Sequence, residues 1–225
     1  MIPIKKSEGL ALQPLLEVAK TKDNENVYRC GSVFDQIKED FRGKCYLCEN
    51  DELVSIQIEH FEPHKKDLNK KFNWANLFYS CGHCNNIKGA DFWPLLNCTD
   101  ADDRVWDSIH IRLMPFPKIT VEISVTSACP KTAEGENTRR LLEKAIAGKN
   151  TTAMKMVEAD NLRKKMLRVY TEFVTAIEGR NTEAVLEAVS DHSPFAGMLR
   201  WHLKSDFPEW FDVLSASEFR RSETE

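Results

Sequence analysis

The chain has 225 residues, 42% hydrophobic and 29% charged, a soluble composition with apolar residues enough for one or two cored domains. Its net charge of −4 excludes a global field that draws it to nucleic acid, so any such contact must come from local patches. There is no apolar run long enough to span a membrane, no apolar stretch in Met-Ile-Pro-Ile-Lys-Lys of the kind a secretion signal needs, and no internal repeat; the expectation is a cytoplasmic protein.

Residues 1–44 read as a helical lead-in that packs on the core or meets a partner. It holds a helix over Leu10–Lys20 interrupted by Pro14, then a second one that spaces Phe34, Ile37 and Phe41 on one face. Val54–Ile58 alternates apolar and polar as a half-buried strand does, with Glu59-His60 at its end and Pro63 stopping further pairing. A loop leads to the aromatic stretch around Asn76. A short helix then runs from Cys81 through Asn85 to Lys88, ended by Gly89. The apolar, Pro-broken stretch Asp91–Leu96 would cover this unit. Ile109–Leu113 and Ile119–Val125 alternate with period two around Pro115 and Pro117, which predicts a hairpin, and Thr126–Gly135 reads as a polar loop. From there the pattern is helical: Thr138–Ala147, Thr152–Glu178, Thr182–Val189, a helix from a Ser193 cap with Pro194 in its first turn to Lys204, and Pro208–Leu214. The tail after Ser215 reads as polar and frayed. Residues 45–135 are thus a core unit and 136–225 a helical subdomain. Phe195, Trp201, Trp210 and Phe211 in that subdomain make it a possible partner-docking region.

The stretch from Cys45 to Gly89 carries the chemistry. Two Cys-x-x-Cys knuckles, Cys45/Cys48 and Cys81/Cys84, each let a tight turn aim two thiolates at one metal, and four thiolates satisfy tetrahedral zinc. The residues between them outnumber the roughly 15–20 of a simple zinc ribbon, so they must form a small tethered substructure. Two disulfides or four packed thiols are the alternatives; the absence of a secretion signal favours structural zinc. Cys30, Cys98 and Cys129 remain as free thiols.

Glu59-His60, Asn76-Leu77 and Cys81-Gly-His-Cys84-Asn85-Asn-Ile-Lys88 follow in the order found in HNH endonucleases, members of the His-Me-finger or ββα-metal nucleases, in the subtype framed by four cysteines. The chain resembles that family over about a fifth of its length. The fold implied is α+β: a ββα-metal finger framed by the zinc site, a small β-hairpin, and a helical C-terminal subdomain. Two positions depart from the commoner pattern, Glu59 where Asp is more frequent and Asn85 where many members have His. Phosphodiester hydrolysis needs a base for water, and a His near neutrality can take the proton, a task that falls to His60. Glu59 and Asn85 offer oxygen ligands suited to Mg2+ or Mn2+ as the catalytic ion. The resemblance implies that Asn76 braces the loop and orients His60. Lys88, with Lys65 and Lys66 in the basic loop, would meet DNA phosphate.

His64 reads as a solvated loop residue and His83 as a knuckle residue. A second basic cluster, Arg163, Lys164, Lys165 and Arg168, is a weaker candidate for nucleic acid, since such runs are usually solvated faces. A finer resemblance is to the PtuB-type HNH subunits of Septu and retron-associated anti-phage systems, which implies an ABC/SMC-like ATPase as partner. This chain has no P-loop, so ATP dependence would come from another subunit. The rival reading is a four-cysteine zinc adaptor that binds DNA or protein without cutting.

Overall fold

The computed structural model describes residues 1–215, so the expected frayed tail after Ser215 lies outside the described residues. The Met1 side chain is fully buried, and its amino group pairs with Glu49 at 3.2 Å. A 3-10 turn (Leu10–Leu12) leads into helix α1 (Gln13–Thr21). Pro14 sits in the first turn of α1 and does not interrupt it, because a missing N–H costs nothing where no intrahelical acceptor exists. A second 3-10 turn (Glu25–Tyr28) precedes helix α2 (Ser32–Asp40). The buried face of α2 is Val33 and Ile37, continued by Phe41, at a spacing of one helical turn.

The first knuckle is followed by strand β1 (Ile56–His60). The connection contains one helical turn, α3 (Leu68–Lys71), and a 3-10 turn (Trp74–Asn76). Strand β2 (Leu77–Cys81) then returns antiparallel to β1, with His60 opposite Leu77 and Ile56 opposite Cys81. β2 is buried along its whole length, which is why Leu-Phe-Tyr-Ser-Cys does not alternate. Helix α4 (Gly82–Lys88) starts directly at the second knuckle: Cys81 Sγ accepts the Cys84 N–H at 3.4 Å, and Gly89 ends the helix at φ +50°. The order is the expected ββα.

Helix α5 (Val105–Ser108) feeds a second antiparallel pair, β3 (Ile109–Met114) and β4 (Thr120–Val125), whose inward residues Ile109, Ile111, Leu113, Val121 and Ile123 are buried. Helix α6 (Thr132–Leu142) begins ahead of the expected Thr138. Gly135 is not a loop residue: the helix passes close to Cys129 there, and an added Cβ would lie 2.8 Å from the Cys129 sulfur. A π turn (Glu143–Ala147) closes α6. Helix α7 (Ala153–Glu178) is capped by the Thr152 hydroxyl, which accepts the Lys155 N–H at 3.4 Å; α8 (Thr182–Ala188) follows. Helix α9 (Ala196–Asp206) lacks the expected Ser193 cap. The Ser193 hydroxyl donates instead to the Glu187 carbonyl at 2.6 Å, and Phe195 enters the helix at φ +55°. Helix α10 (Pro208–Ser215) is the last described element.

One buried cluster runs from Met1 through the aromatic group Phe41, Tyr46, Phe61 and Phe78 and the second hairpin to Leu203. Each large side chain buried there contributes roughly 1.5–3 kcal/mol. The helical part packs on the same cluster. The Gly197 N–H donates to Glu49 at 2.8 Å, and Lys44 donates to the Asp191 and Ser193 carbonyls at 2.5 and 2.8 Å. Phe195 is buried, and Trp201 Nε1 donates to the Trp106 and Ile109 carbonyls, both at 3.1 Å. Phe195 thus fills the chain's own core, while Trp201 is half-buried beside it. Among the described residues no helix is long and apolar enough to cross a membrane.

Candidate functional site

Neighbouring residues of β1 face opposite ways, and that sorts the site into two layers. Gln57 and Glu59 share the face that meets α4, where Asn85 and Lys88, three apart, are also on one face. Asn85 Nδ2 donates to Gln57 Oε1. Among the described residues Asn85 Oδ1 has no partner. Lys88 is 1% exposed; its ammonium donates to Glu59 Oε2 and to the His60 carbonyl, both at 2.9 Å. The Tyr46 hydroxyl donates to Glu59 Oε1. Burial pushes the Glu59 carboxyl up, against the pull of Lys88 and Tyr46. Lys88 therefore departs from the expected phosphate contact: it is a core residue that neutralises Glu59 and pins the His60 backbone. Glu59 departs in part from the expected metal ligand, since each carboxylate oxygen already accepts one hydrogen bond. A carboxylate offers about four acceptor sites, so ligand capacity remains.

His60 lies on the other face. Its Nε2 is 2.9 Å from the Lys71 carbonyl, which can only accept, so Nε2 carries the proton and Nδ1 keeps the lone pair. Tyr28 packs against the ring at 5.6 Å between centroids and 88° between planes. Burial lowers the His60 pKa to about 4, so the imidazole is neutral at pH 7.

Asn76 is buried and makes three hydrogen bonds. Its Oδ1 accepts the Glu62 N–H at 2.7 Å, and its Nδ2 donates to the Glu62 and Lys70 carbonyls at 2.9 and 3.0 Å. The Lys70 carbonyl precedes the Lys71 carbonyl that holds His60, so the Asn76 amide fixes both ends of the loop that seats the imidazole.

An open cleft of about 1000 Å³ brings together His60, Glu59, Asn85, His64, Lys65 and Lys66, which are far apart in type and partly in sequence. Tyr28, Glu25 and Arg29, from the lead-in, form another part of its wall. Sequence reasoning missed these three and Gln57, for lack of any motif around them; the alternation of Gln57 with Glu59 was the one available signal. The four lysines of the basic loop divide. Lys65 and Lys66 are exposed with no acidic partner among the described residues, whereas Lys70 pairs with Glu62, and Lys71 pairs with Asp23 and Glu25 at 2.6 and 2.8 Å. The second basic cluster is engaged within the chain: Arg163 and Lys164 pair with Asp160, Lys165 and Arg168 with Glu52. It presents no free phosphate-binding row. His83 bridges α4 to the helical part, through Glu158 at 2.5 Å and the Ala145 carbonyl at 2.8 Å.

Behind the cleft the sulfurs of Cys45, Cys48, Cys81 and Cys84, all buried, lie within 4.8 Å of one another. Cys48 Sγ and Cys81 Sγ are 3.9 Å apart. A tetrahedron with Zn–S bonds of about 2.3 Å separates its sulfurs by about 3.8 Å, so the cluster fits zinc in size and donor set. None of the seven cysteines forms a disulfide; Cys30 is exposed, Cys98 buried and Cys129 half-buried.

Comparison with known proteins agrees with this geometry. The chain is similar to a Septu protein PtuB of Bacillus mycoides (strain KBAB4), 33% identical over 107 residues. That alignment covers 36% of this chain and 35% of the relative, so the likeness spans about a third of the relative's length. The family model described as HNH endonuclease matches residues 45–91, from the first zinc-knuckle cysteine to just past α4. The chain therefore carries an HNH endonuclease domain over residues 45–91.

Proposed function

We propose that this protein is a metal-dependent endonuclease that hydrolyses DNA phosphodiester bonds, acting as the nuclease subunit of a bacterial anti-phage complex with an ABC/SMC-like ATPase. The observation that carries the nuclease reading is the state of His60. It is neutral, with Nε2–H fixed on the Lys71 carbonyl and Nδ1 unprotonated, in a cleft shared with Asn85 and with two exposed lysines. His60 Nδ1 takes a proton from the attacking water as the water oxygen bonds to phosphorus and the bond to the leaving ester oxygen breaks. Asn76 and Lys88 position that imidazole, one through the loop carbonyls and the other through the His60 carbonyl. Lys65 and Lys66 draw the DNA backbone to the cleft, which a chain of net charge −4 needs locally.

Asn85 Oδ1 and the remaining lone pairs of Glu59 are the oxygen donors that fit a hard divalent cation such as Mg2+ or Mn2+. Bound there, the ion supplies charge neutralisation at the phosphate. Structural Zn2+ falls to the four cysteines. The defence role rests on the likeness to the Septu protein, and the ATPase partner on the resemblance drawn from the motifs.

The deciding experiment is plasmid nicking by the purified chain with Mg2+ or Mn2+, alone and with the ATPase encoded beside it. Nicking that disappears in His60→Ala supports the reading. DNA binding by both proteins with cleavage by neither, in either setting, would leave the zinc adaptor as the function.

A further inference from the structure

Within the cleft a second imidazole complements the first. His64 lies four residues past His60, and the two rings are 4.6 Å apart between centroids and 62° between planes. The Lys66 N–H donates to His64 Nδ1 at 3.1 Å. Nδ1 is thus held as an acceptor, and the ring N–H stands on Nε2. Among the described residues His64 Nε2 has no hydrogen-bond partner. The turn that creates this lock is strained, since Lys65 and Lys66 both adopt left-handed backbone, at φ +46° and +70°. Such conformations cost about 1 kcal/mol or more for a non-glycine residue and persist where the surroundings impose them. Here the surroundings are α3 and its Asp67 cap just after the turn, with the Asp67 N–H donating to the His64 carbonyl at 2.7 Å. A solvated loop histidine, the reading from sequence, needs neither a fixed tautomer nor a partner ring.

The result is a pair of opposite character on one wall of one cleft. His60 presents a lone pair at Nδ1, while His64 presents an N–H at Nε2. We propose that His64 is a further catalytic residue, whose Nε2–H donates a hydrogen bond to a phosphate oxygen of the scissile diester while His60 takes the proton of water. No proton leaves His64. Its contribution is a fixed donor aimed at charge that grows on the phosphate in the transition state, the kind of interaction whose removal lowers kcat by about 10²–10³. The proposal rests on the nuclease reading for its catalytic half alone; the phosphate contact stands or falls separately.

Two measurements on the full zinc-loaded chain test it. The first is nitrogen-detected NMR of the His64 side chain while a short DNA duplex is added with no Mg2+ or Mn2+ present. Nε2 is expected to shift and Nδ1 to keep its Lys66 signature. The second is single-turnover cleavage of the same duplex with Mn2+ by His64→Ala and His64→Gln. His64→Ala is expected to slow the bond-breaking step by about 10²–10³ with half-saturating DNA changed less than threefold. His64→Gln, whose amide N–H reaches about as far as Nε2–H, is expected to recover at least tenfold of that loss. Unchanged Tm and zinc content in both variants separate this from a structural role. A wild-type cleavage rate in His64→Ala, or bound DNA that leaves Nε2 unshifted, overturns the proposal. If the wild-type chain never cleaves but Nε2 still shifts on DNA, the nuclease reading fails and the phosphate contact stands.

Discussion

Lys88→Met separates two accounts of the lysine that follows the second knuckle. If Lys88 meets phosphate, its removal weakens DNA binding and leaves the fold alone. The structure gives the opposite expectation, because the ammonium is 1% exposed and its two acceptors are Glu59 and the His60 carbonyl. Removing it leaves a carboxylate that is 4% exposed with only the Tyr46 hydroxyl as a donor. Breaking a buried ion pair from one side costs about 3–5 kcal/mol, since the remaining charge has no compensation. At an m-value of about 3 kcal/mol/M, a loss of that size moves the urea midpoint down by about 1–1.7 M. The assay is equilibrium urea unfolding of the zinc-saturated protein, with DNA affinity measured in parallel. The double variant Glu59→Gln, Lys88→Met removes both charges and is expected to be more stable than Lys88→Met alone, a coupling that a surface lysine cannot produce. A midpoint within 0.3 M of wild type, roughly 1 kcal/mol at that slope, together with weakened DNA binding, would refute the burial argument and restore Lys88 to the phosphate.

Three further outcomes are expected. Cys48→Ser should abolish stoichiometric zinc by elemental analysis and unfold the finger, because structural zinc supplies about 10–16 kcal/mol in small metal-folded units; wild-type protein purified without chelator and free of zinc would sink the assignment. His60→Ala should lower cleavage by about 10²–10⁴ with zinc content and circular dichroism unchanged, and a wild-type rate would show the imidazole to be structural. His202, buried in α9, accepts the Leu113 N–H at Nε2 (3.1 Å) and meets Asp206 at Nδ1 (2.7 Å). Burial lowers its pKa, with Asp206 opposing and Arg112 assisting. A histidine whose folded pKa lies below the ordinary value of about 6.5 contributes stability that is complete above that pH and is lost as pH falls toward the folded value. Thermal unfolding between pH 7 and 5 should therefore show a drop that His202→Gln makes shallower without removing it, because His60, with its pKa of about 4, loses stability in the same window; parallel curves for the two proteins would exclude His202 as a source.

The finger was largely legible because its signals are local. Two knuckles and a glycine-ended helix specify the cysteine frame and α4 from neighbouring residues alone; the alternation marked a strand but misplaced it, since β1 spans Ile56–His60 rather than Val54–Ile58, with Val54 and Ile56 exposed and Glu59 buried. The functions of Glu59 and Lys88 were not legible for the same reason. Adjacent residues on a strand point apart, and nothing near Glu59 in sequence announces that Tyr46 and Lys88 enclose it. His64 shows the converse. In sequence it is a polar loop residue, and only the left-handed turn at Lys65 and Lys66, which no propensity favours, brings its ring against His60. The Ser193 cap was misread because a Ser-Pro pair before an apolar run matches a helix start, while the hydroxyl finds the Glu187 carbonyl instead.

Beyond the finger, the chain on either side is built into the site's foundations. Lys6 donates to the Trp74 and Leu77 carbonyls, which flank Asn76, and stands 4.7 Å from the centroid of the Trp74 ring. Trp74 Nε1 donates back to the Ser7 carbonyl at 2.6 Å. Burial lowers the Lys6 pKa to about 7, with Asp40 opposing the shift. Lys71, whose carbonyl holds His60, sends its own ammonium to Asp23 and Glu25. From the other side, Glu52 just after the first knuckle pairs with Lys165 and Arg168 of α7, and His83 inside the second knuckle pairs with Glu158 of the same helix. Exposed ion pairs of this kind contribute little stability individually. Their placement is what counts: the segment just after the first knuckle and His83 within the second both contact α7, and the loop that seats His60 has direct contacts to the lead-in. The lead-in thus lines the cleft directly, through Glu25, Tyr28 and Arg29, whereas the helical part supports the finger from the side of its cysteine frame, through Glu52 and His83.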